Sequence, residues 1–412
     1  MFYSDLFNIF SIFVLCILGV FSIALSFFSL IPPSVFLPSC FFLLLGTQKN
    51  KTKTPTEAGF AVLPSSKERV TSEEALEFLT GPVSTILLPC FYTLICFISV
   101  PINIFAIMVF NCWIRPKTPA AIYMLNLALA DLLFALMLPF KISYHFEGNN
   151  WKFGSTMCSV VTAAFYWNMY CSVLLIACIS VDRLLAVVYP IDSLAWRSSR
   201  TTVIACITMW LLSFAGSVPL VSSDQTFNLT KLNITTCHDV HSTNKIIWLK
   251  TYFVTLCCFL FLIPLLITLV SYTGVICSLS RLQYDVPETS HRKRRAVVMT
   301  LTVLLIFLLC FVPTNCLLLA HYLQLNTEKS QEAPDGSYAL YLVFLCLGSL
   351  NCLLDPLLYY FGSSQFRKQL SNMLKCNNDN STHSPQTEKS RIKTSRWGPT
   401  CASCPSLAKL TL

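Results

Sequence analysis

Apolar residues are concentrated in seven long runs, and Pro, Gly or charged residues bound each of them. The runs cover approximately residues 86–112, 120–143, 155–188, 202–222, 249–279, 295–322 and 338–360. A helix of about 20 apolar residues spans a hydrocarbon core of roughly 30 Å and satisfies its own backbone hydrogen bonds there. The pattern therefore predicts an all-α membrane protein, in which residues 86–360 form a bundle of seven transmembrane helices.

The residues after the seventh run predict a short helix on the membrane surface. Between 361 and 376, Phe366 and Leu370 share helical spacing with Arg367 and Lys368, a pattern typical of an amphipathic helix at a bilayer interface. Cys376 at its end is either a palmitoylation site or an unmodified thiol. Residues 377–412 are rich in Ser, Thr, Asn and Lys, which is typical of a disordered and phosphorylatable cytoplasmic tail.

The chain before the first run divides into an apolar leader and a more polar segment. Residues 1–45 contain apolar stretches at 7–31 and 35–45, separated by Pro32-Pro33. A signal sequence, an additional anchor helix and an incorrectly assigned first exon all fit this pattern. Residues 46–85 are expected to form an N-terminal segment on the extracellular side.

The distribution of charge predicts the orientation of the bundle. Basic residues such as Arg115, Arg197 and Arg292 fall in alternate loops, and the positive-inside rule places those loops in the cytoplasm. Seven crossings then put the N-terminus outside, in a multi-pass protein of the plasma membrane. Glycosylation is expected at the sequons on the outer side, which begin at Asn50, Asn228 and Asn233.

Composition argues against a soluble protein and against a nucleic-acid partner. With 54% hydrophobic and 12% charged residues, the 412-residue chain is too apolar to fold in water. Its net charge of +9 is spread over short segments between apolar runs rather than over one face, so the basic residues are better explained as topology signals. Membrane lipid is the expected surrounding.

Ionisable residues are expensive in hydrocarbon, so those inside the apolar runs are functional candidates. They include Asp131, Asp182, Arg183 and Asp355. Two intramembrane carboxylates suggest either an aspartyl protease or a polar cluster in the bundle interior. The Tyr-Asp and Gly-x-Gly-Asp contexts of intramembrane proteases do not surround Asp131 or Asp355, so we expect no catalytic residues and no enzyme.

The alternative is a polar cluster around the carboxylate of Asp131. A small cation such as sodium, or a proton, would neutralise the carboxylates, and no other metal or cofactor is expected. The predicted cluster consists of Asn103, Asp131, Asn168, Ser172 and Asp355, with Asn351 beside them.

These residues occur in an order and spacing that resembles the rhodopsin-like G-protein-coupled receptors. The resemblance rests on Asn103, the Leu-Ala-x-Ala-Asp run ending at Asp131, Cys158, Asp182-Arg183, Trp210, Pro264, Tyr272, Pro313 and Asp355-Pro356-x-x-Tyr359. Leu184 in place of Tyr or Phe, and Phe311 in place of Trp, are departures from the family pattern.

The resemblance implies a switch at the cytoplasmic end of the bundle. Asp182 would hold Arg183 until activation releases the arginine toward a heterotrimeric G protein. Tyr272 and Tyr359 would swing inward to support the active state, and Pro356 would supply a hinge. Receptor kinases and arrestin are the partners that the resemblance implies for the tail.

The outer half of the chain resembles the protease-activated, thrombin-type receptors. The most specific string is Thr235-Thr236-Cys237-His238-Asp239-Val240. The resemblance implies a disulfide between Cys158 and Cys237, and a shallow ligand pocket above the bundle. Its lining residues would be Tyr166, His238, Asp239, His321, Tyr322, Tyr338 and Tyr341.

In that family, an extracellular serine protease cuts the N-terminal segment, and the new N-terminus folds back as a tethered agonist in responses that include blood coagulation. Tethering makes binding intramolecular, so a weak agonist suffices. No basic residue of segment 46–85 lies in a recognisable cleavage and agonist sequence, and Arg69 is the candidate cleavage site. The alternatives are a receptor of the same branch for a diffusible peptide, nucleotide or lipid, and a cofactor for another receptor.

Overall fold

The computed structural model describes residues 79–194, 196–230, 232–238, 246–280, 287–324 and 345–381. Within these residues, seven helices are long and apolar enough to cross a membrane. They are α1 (Val83–Trp113), α2 (Pro119–Phe146), α3 (Gly154–Val188), α4 (Ser199–Ser222), α5 (Lys250–Leu279), α6 (Ala296–Leu319) and α7 (Leu345–Gly362). Each helix overlaps one of the apolar runs, so the predicted seven-helix bundle is confirmed.

Capping residues explain where two of the helices begin. The side chain of Thr118 accepts a hydrogen bond from the backbone N–H of Ala121, and Pro119 occupies the first helical position of α2. Ser198 accepts from the N–H of Thr201 at the start of α4. These caps satisfy amides that the first turn of a helix leaves without an intrahelical acceptor.

Helices α1, α5 and α6 each contain a π-helical segment that ends two residues before a proline, and in α1 it is Val83–Leu87, before Pro89. In α5 the segment Cys257–Leu262 ends two residues before Pro264, and in α6 the segment Phe307–Phe311 ends two residues before Pro313. Proline lacks an N–H, and its ring clashes with the carbonyl four residues earlier. The wider π turn relieves this conflict.

Helix α3 forms the centre of the bundle. Most of its side chains between Cys158 and Asp182 are buried, and it packs against α2, α4 and α5. Large apolar side chains remain exposed on the outward faces of α4 and α5, including Leu211, Phe214, Phe259 and Val270. Such faces are expected where lipid, rather than water, surrounds a helix.

A β-hairpin lies against the end of the bundle that we call the outer end. Strands β1 (Thr226–Leu229) and β2 (Ile234–Cys237) pair antiparallel, with Thr226 opposite Cys237. A disulfide joins Cys237 to Cys158 of α3, which confirms the predicted pairing. A second small core packs around this disulfide and contains Tyr144, Trp151 and Val161.

The predicted surface helix is present as α8 (Ser364–Ser381), which follows α7 at the opposite, inner end. Phe366 anchors it, because this ring is buried at centroid distances of 5.2 Å from Phe110 and 6.3 Å from Tyr359. The helix continues beyond the predicted end at residue 376, and the side chain of Cys376 is not among those described. The leader 1–45, the N-terminal segment up to residue 78 and the tail after residue 381 lie outside the described residues.

Candidate functional site

A cavity lies between the outer ends of α1, α2, α3 and α7, next to the hairpin. Its walls are mostly aromatic and aliphatic, with a lysine and two histidines among them. The lining residues are Tyr92, Phe134, Met137, Leu138, Lys141, His145, Val161, Thr162, Phe165, Tyr166, His238 and Leu345. Apolar walls with a few polar groups are typical of a ligand pocket.

His238 is held in one orientation where the hairpin meets this cavity. It follows the disulfide-bonded Cys237 and has a left-handed backbone conformation, with φ of 68°. Its Nδ1 lies 2.8 Å from Oε1 of Gln225, and its Nε2 lies 3.1 Å from the hydroxyl of Tyr166. An amide oxygen can only accept, so Nδ1 carries the proton, and Nε2 of the neutral ring accepts from Tyr166.

Lys141 is a cationic group of the cavity that was not predicted from the sequence. Its Nζ donates to the carbonyl oxygen of Cys237 at 3.4 Å and lies 5.3 Å from the ring centroid of Tyr144. A lysine inside an apolar run is unusual. Its position in the second run could therefore have marked Lys141 as a candidate functional residue. Its ammonium suits a carbonyl or carboxylate group of a ligand.

The structure places only part of the predicted ligand pocket. Tyr166 and His238 meet at the cavity, as expected. Outside the described residues lie Asp239, Tyr338 and Tyr341. The helical segment Val312–Gln324 includes two further predicted residues whose side chains are not described, His321 and Tyr322. Tyr92 and His145 line the cavity although they were not predicted.

A polar cluster is buried in the middle of the bundle, around the carboxylate of Asp131. Its Oδ1 accepts from Nδ2 of Asn168 at 3.3 Å and from Nδ2 of Asn351 at 3.4 Å. The hydroxyl of Tyr359 lies 3.4 Å from Oδ2 of Asp131 and 3.5 Å from Oδ1 of Asn103. The structure thus brings together side chains from α1, α2, α3 and α7 that are far apart in sequence.

Two further members of the predicted cluster differ in how they are satisfied. Ser172 accepts a hydrogen bond from Nδ2 of Asn351 at 3.3 Å. Asp355 is fully buried near Asp131, and within the described residues its two carboxylate oxygens have no hydrogen-bond donor. Two neighbouring carboxylates without enough donors require a proton or a cation in an apolar surrounding.

At the inner end of α3, the structure does not show the predicted contact in which Asp182 holds Arg183. Asp182 instead pairs with Arg197, whose Nε lies 2.8 Å from Oδ1 and whose Nη2 lies 3.4 Å from Oδ2. Consecutive side chains of a helix point about 100° apart, and that of Asp182 faces the loop between α3 and α4. Nε of Arg183 and the hydroxyl of Tyr272 are buried without a partner among the described residues.

We expect Tyr166→Phe to lower the thermal stability of the purified protein, because it removes a buried hydrogen bond to His238 and keeps the ring. The loss should be about 1 kcal/mol, or roughly 1 °C in Tm for a chain of 412 residues. Thermal unfolding in detergent measures it. Tyr189→Phe, at a tyrosine that is 51% exposed, is the matched control and should leave Tm unchanged. Equal Tm values for the two variants would contradict the expectation.

Comparison with known proteins agrees with the geometry. The family model of the 7 transmembrane receptor (rhodopsin family) matches residues 102–359. This range includes both the buried cluster and the ion pair at the inner end of α3.

Curated relatives extend the similarity over most of the chain. Proteinase-activated receptor 1 of Xenopus laevis is 45% identical over 306 residues, which are 74% of this chain and 70% of that protein. Proteinase-activated receptor 1 of Homo sapiens is 44% identical over 306 residues, with coverage of 74% and 71%. Proteinase-activated receptor 2 of Mus musculus is 39% identical over 344 residues, with coverage of 83% and 82%. The chain therefore belongs to the rhodopsin family of seven-transmembrane receptors and, within it, to the proteinase-activated receptors.

Proposed function

We propose that this receptor signals to heterotrimeric G proteins after an extracellular serine protease has cut its N-terminal segment. The observation that carries the proposal is the 45% identity to a proteinase-activated receptor over 306 residues. The outer cavity supports it, because aromatic walls next to the hairpin suit a peptide bound at a wet rim. The new N-terminus would bind there as an intramolecular agonist.

The cavity offers distinct contacts to such a peptide. Lys141 presents a positive charge to peptide carbonyl groups or to an acidic side chain. The Tyr166 and His238 pair offers an aromatic surface with fixed polar atoms. Asp239, Tyr338 and Tyr341, which the structure does not describe, would complete the rim with His321 and Tyr322, and the carboxylate of Asp239 would bind the freshly exposed α-amine.

We place the receptor in the plasma membrane with its N-terminus outside. A disulfide persists on the oxidising side of a membrane, so the bond between Cys158 and Cys237 supports assigning the hairpin end to that side. Asn228 and Asn233 are both exposed on the hairpin, where their sequons would be glycosylated together with that of Asn50.

The inner end would then face the cytoplasm. Receptor kinases and arrestin would act on the tail 377–412, and Cys376 in α8 would carry a palmitoyl chain that strengthens the contact with the inner leaflet. Arg183, Tyr272, Pro356 and Tyr359 would form the moving parts of the G-protein switch. Lipid would cover the exposed apolar faces of α4 and α5.

A direct test is calcium signalling in cells that express the receptor and are challenged with thrombin or trypsin. We expect a response to active protease and none to the same protease after active-site inhibition, because a new N-terminus has to be generated. Arg69→Gln should abolish the response if cleavage follows that residue. A receptor that is cut at the cell surface without any signal would instead favour a diffusible ligand or a cofactor role.

The ion pair at the inner end of α3 predicts the effect of Arg197→Gln. We expect agonist-independent signalling to rise roughly tenfold, which corresponds to about 1.4 kcal/mol, because the substitution removes a tie between α3 and the following loop. Arg200→Gln, at an exposed arginine nearby, is the control and should leave basal signalling unchanged. An unchanged or lower basal signal for Arg197→Gln would show that the ion pair with Asp182 does not restrain the inactive receptor.

We also propose that a sodium ion binds between Asp131 and Asp355. The unpaired oxygens of Asp355 support this, as do the oxygen atoms of Ser172 and Asn168 nearby, because hard cations prefer oxygen ligands. Asn103 would contribute indirectly, through its contact with the hydroxyl of Tyr359.

The sodium proposal predicts a salt-specific gain in stability. Replacing choline chloride by sodium chloride at constant ionic strength should raise Tm by about 1 °C for each kcal/mol of binding free energy. Asp131→Asn should abolish this difference, whereas Asp182→Asn, outside the cluster, should preserve it. Identical Tm values in the two salts for the unaltered receptor would favour a shared proton.

A further inference from the structure

A buried hydrogen-bond cluster joins the start of α1 to the loop between α2 and α3. Asn149 lies at its centre, fully buried and with a left-handed backbone conformation of φ 59°, which asparagine tolerates better than most residues. Its Nδ2 donates to the carbonyl oxygen of Leu79 at 2.6 Å and to Oγ of Ser84 at 2.7 Å. We call Leu79, Ser84, His145 and Asn149 the N-terminal clip.

The amide of Asn149 has no unused hydrogen-bonding group. Both of its N–H groups are donated to Leu79 and Ser84, so its Oδ1 accepts from Nδ1 of His145, which lies 2.6 Å away. Leu79 and Ser84 are themselves completely buried. Releasing any one partner would leave a buried polar group unpaired, so the clip holds all four residues in one arrangement.

The clip is connected to the outer cavity through His145. The ring of His145 lines that cavity and stacks on Tyr92 of α1 at a centroid distance of 6.0 Å. The point where the N-terminal segment joins the bundle is therefore tied, through one buried amide, to a wall of the cavity. A side chain that only capped the start of α1 would not need this second connection.

We propose that Asn149 is a positioning residue for tethered activation. It fixes where and in which direction the N-terminal segment leaves the bundle, and because its side chain is fully buried it does not touch the agonist. This inference rests on the proposed function. The effective concentration of a tethered ligand depends on the span between its anchor and its site, and Leu79 is that anchor.

The proposal predicts that loss of the clip affects activation by the tethered agonist more than activation by the same peptide added in solution. Loss of the clip would move the anchor of the tether but would leave the contacts of the bound peptide in place. A purely structural role would weaken both forms of activation equally. The ratio of the two responses therefore reports the positioning role and is independent of receptor number.

The test uses the full-length receptor at the surface of living cells, with trypsin as the protease. The free agonist is a synthetic peptide that copies the new N-terminus, identified by sequencing the trypsin-cleaved receptor. The readout is the calcium response after complete cleavage, divided by the response to saturating peptide in uncleaved cells. Asn149→Gly deletes the side chain and keeps the left-handed backbone free of strain.

For Asn149→Gly we expect this ratio to fall by roughly tenfold, the range supported by the loss of one or two buried hydrogen bonds. Ser84→Ala, which keeps the contacts of Asn149 with Leu79 and His145, should lower it less. Asn150→Gly is the matched control, because the side chain of Asn150 accepts from the backbone of Thr235 in the hairpin and, among the described residues, has no hydrogen bond to Leu79 or Ser84. Its ratio should stay at the value of the unaltered receptor.

An equal loss of both responses in Asn149→Gly would overturn the positioning role and leave the proposed function intact. An unaltered receptor that is cleaved at the surface and stays silent would overturn the proposed function, and this inference with it. If Asn149→Gly does not reach the cell surface, the same ratio is measured for Ser84→Ala. An unchanged ratio for Ser84→Ala would contradict the positioning role of the clip.

Discussion

The hydrocarbon core of a membrane offers no hydrogen-bonding partner, so each polar group that enters it must be satisfied by the bundle itself. Backbone groups meet this requirement by forming helices. Polar side chains meet it by clustering, and the cluster around Asp131 gathers donors from α3 and α7. The relative rotation of these helices is therefore limited, because turning any of them would remove a donor from a buried carboxylate.

The outer end of the receptor is braced by different means, since water is present there. The disulfide between Cys158 and Cys237 ties the hairpin to α3, and the N-terminal clip ties the start of α1 to the next loop. Between these braces lies the cavity, with His238 held on one side and His145 on the other. A pocket with fixed walls loses little conformational freedom when a ligand binds.

The seven helices and the disulfide could be predicted because they depend on long apolar runs and on a motif with many fixed positions. Asp182 shows the limit of such reasoning. The family resemblance implied Arg183 as its partner, but the side chain of Asp182 points toward the loop after α3 and pairs there with Arg197, fifteen residues away. Asn149 could not have been identified, since two of its three partners are a backbone oxygen and a serine that the fold alone brings close.

The π-helical segments of α5 and α6 have a consequence for how the two ends of the molecule are related. A π turn holds more residues than an α turn, and each residue of an α-helix accounts for about 100° of rotation and 1.5 Å of rise. A helix that contains such a turn has no single register from end to end. The orientation of α6 near Asn315, at its outer end, and near Met299, at its inner end, is therefore set by separate packing environments. One end can rotate without an equal rotation of the other.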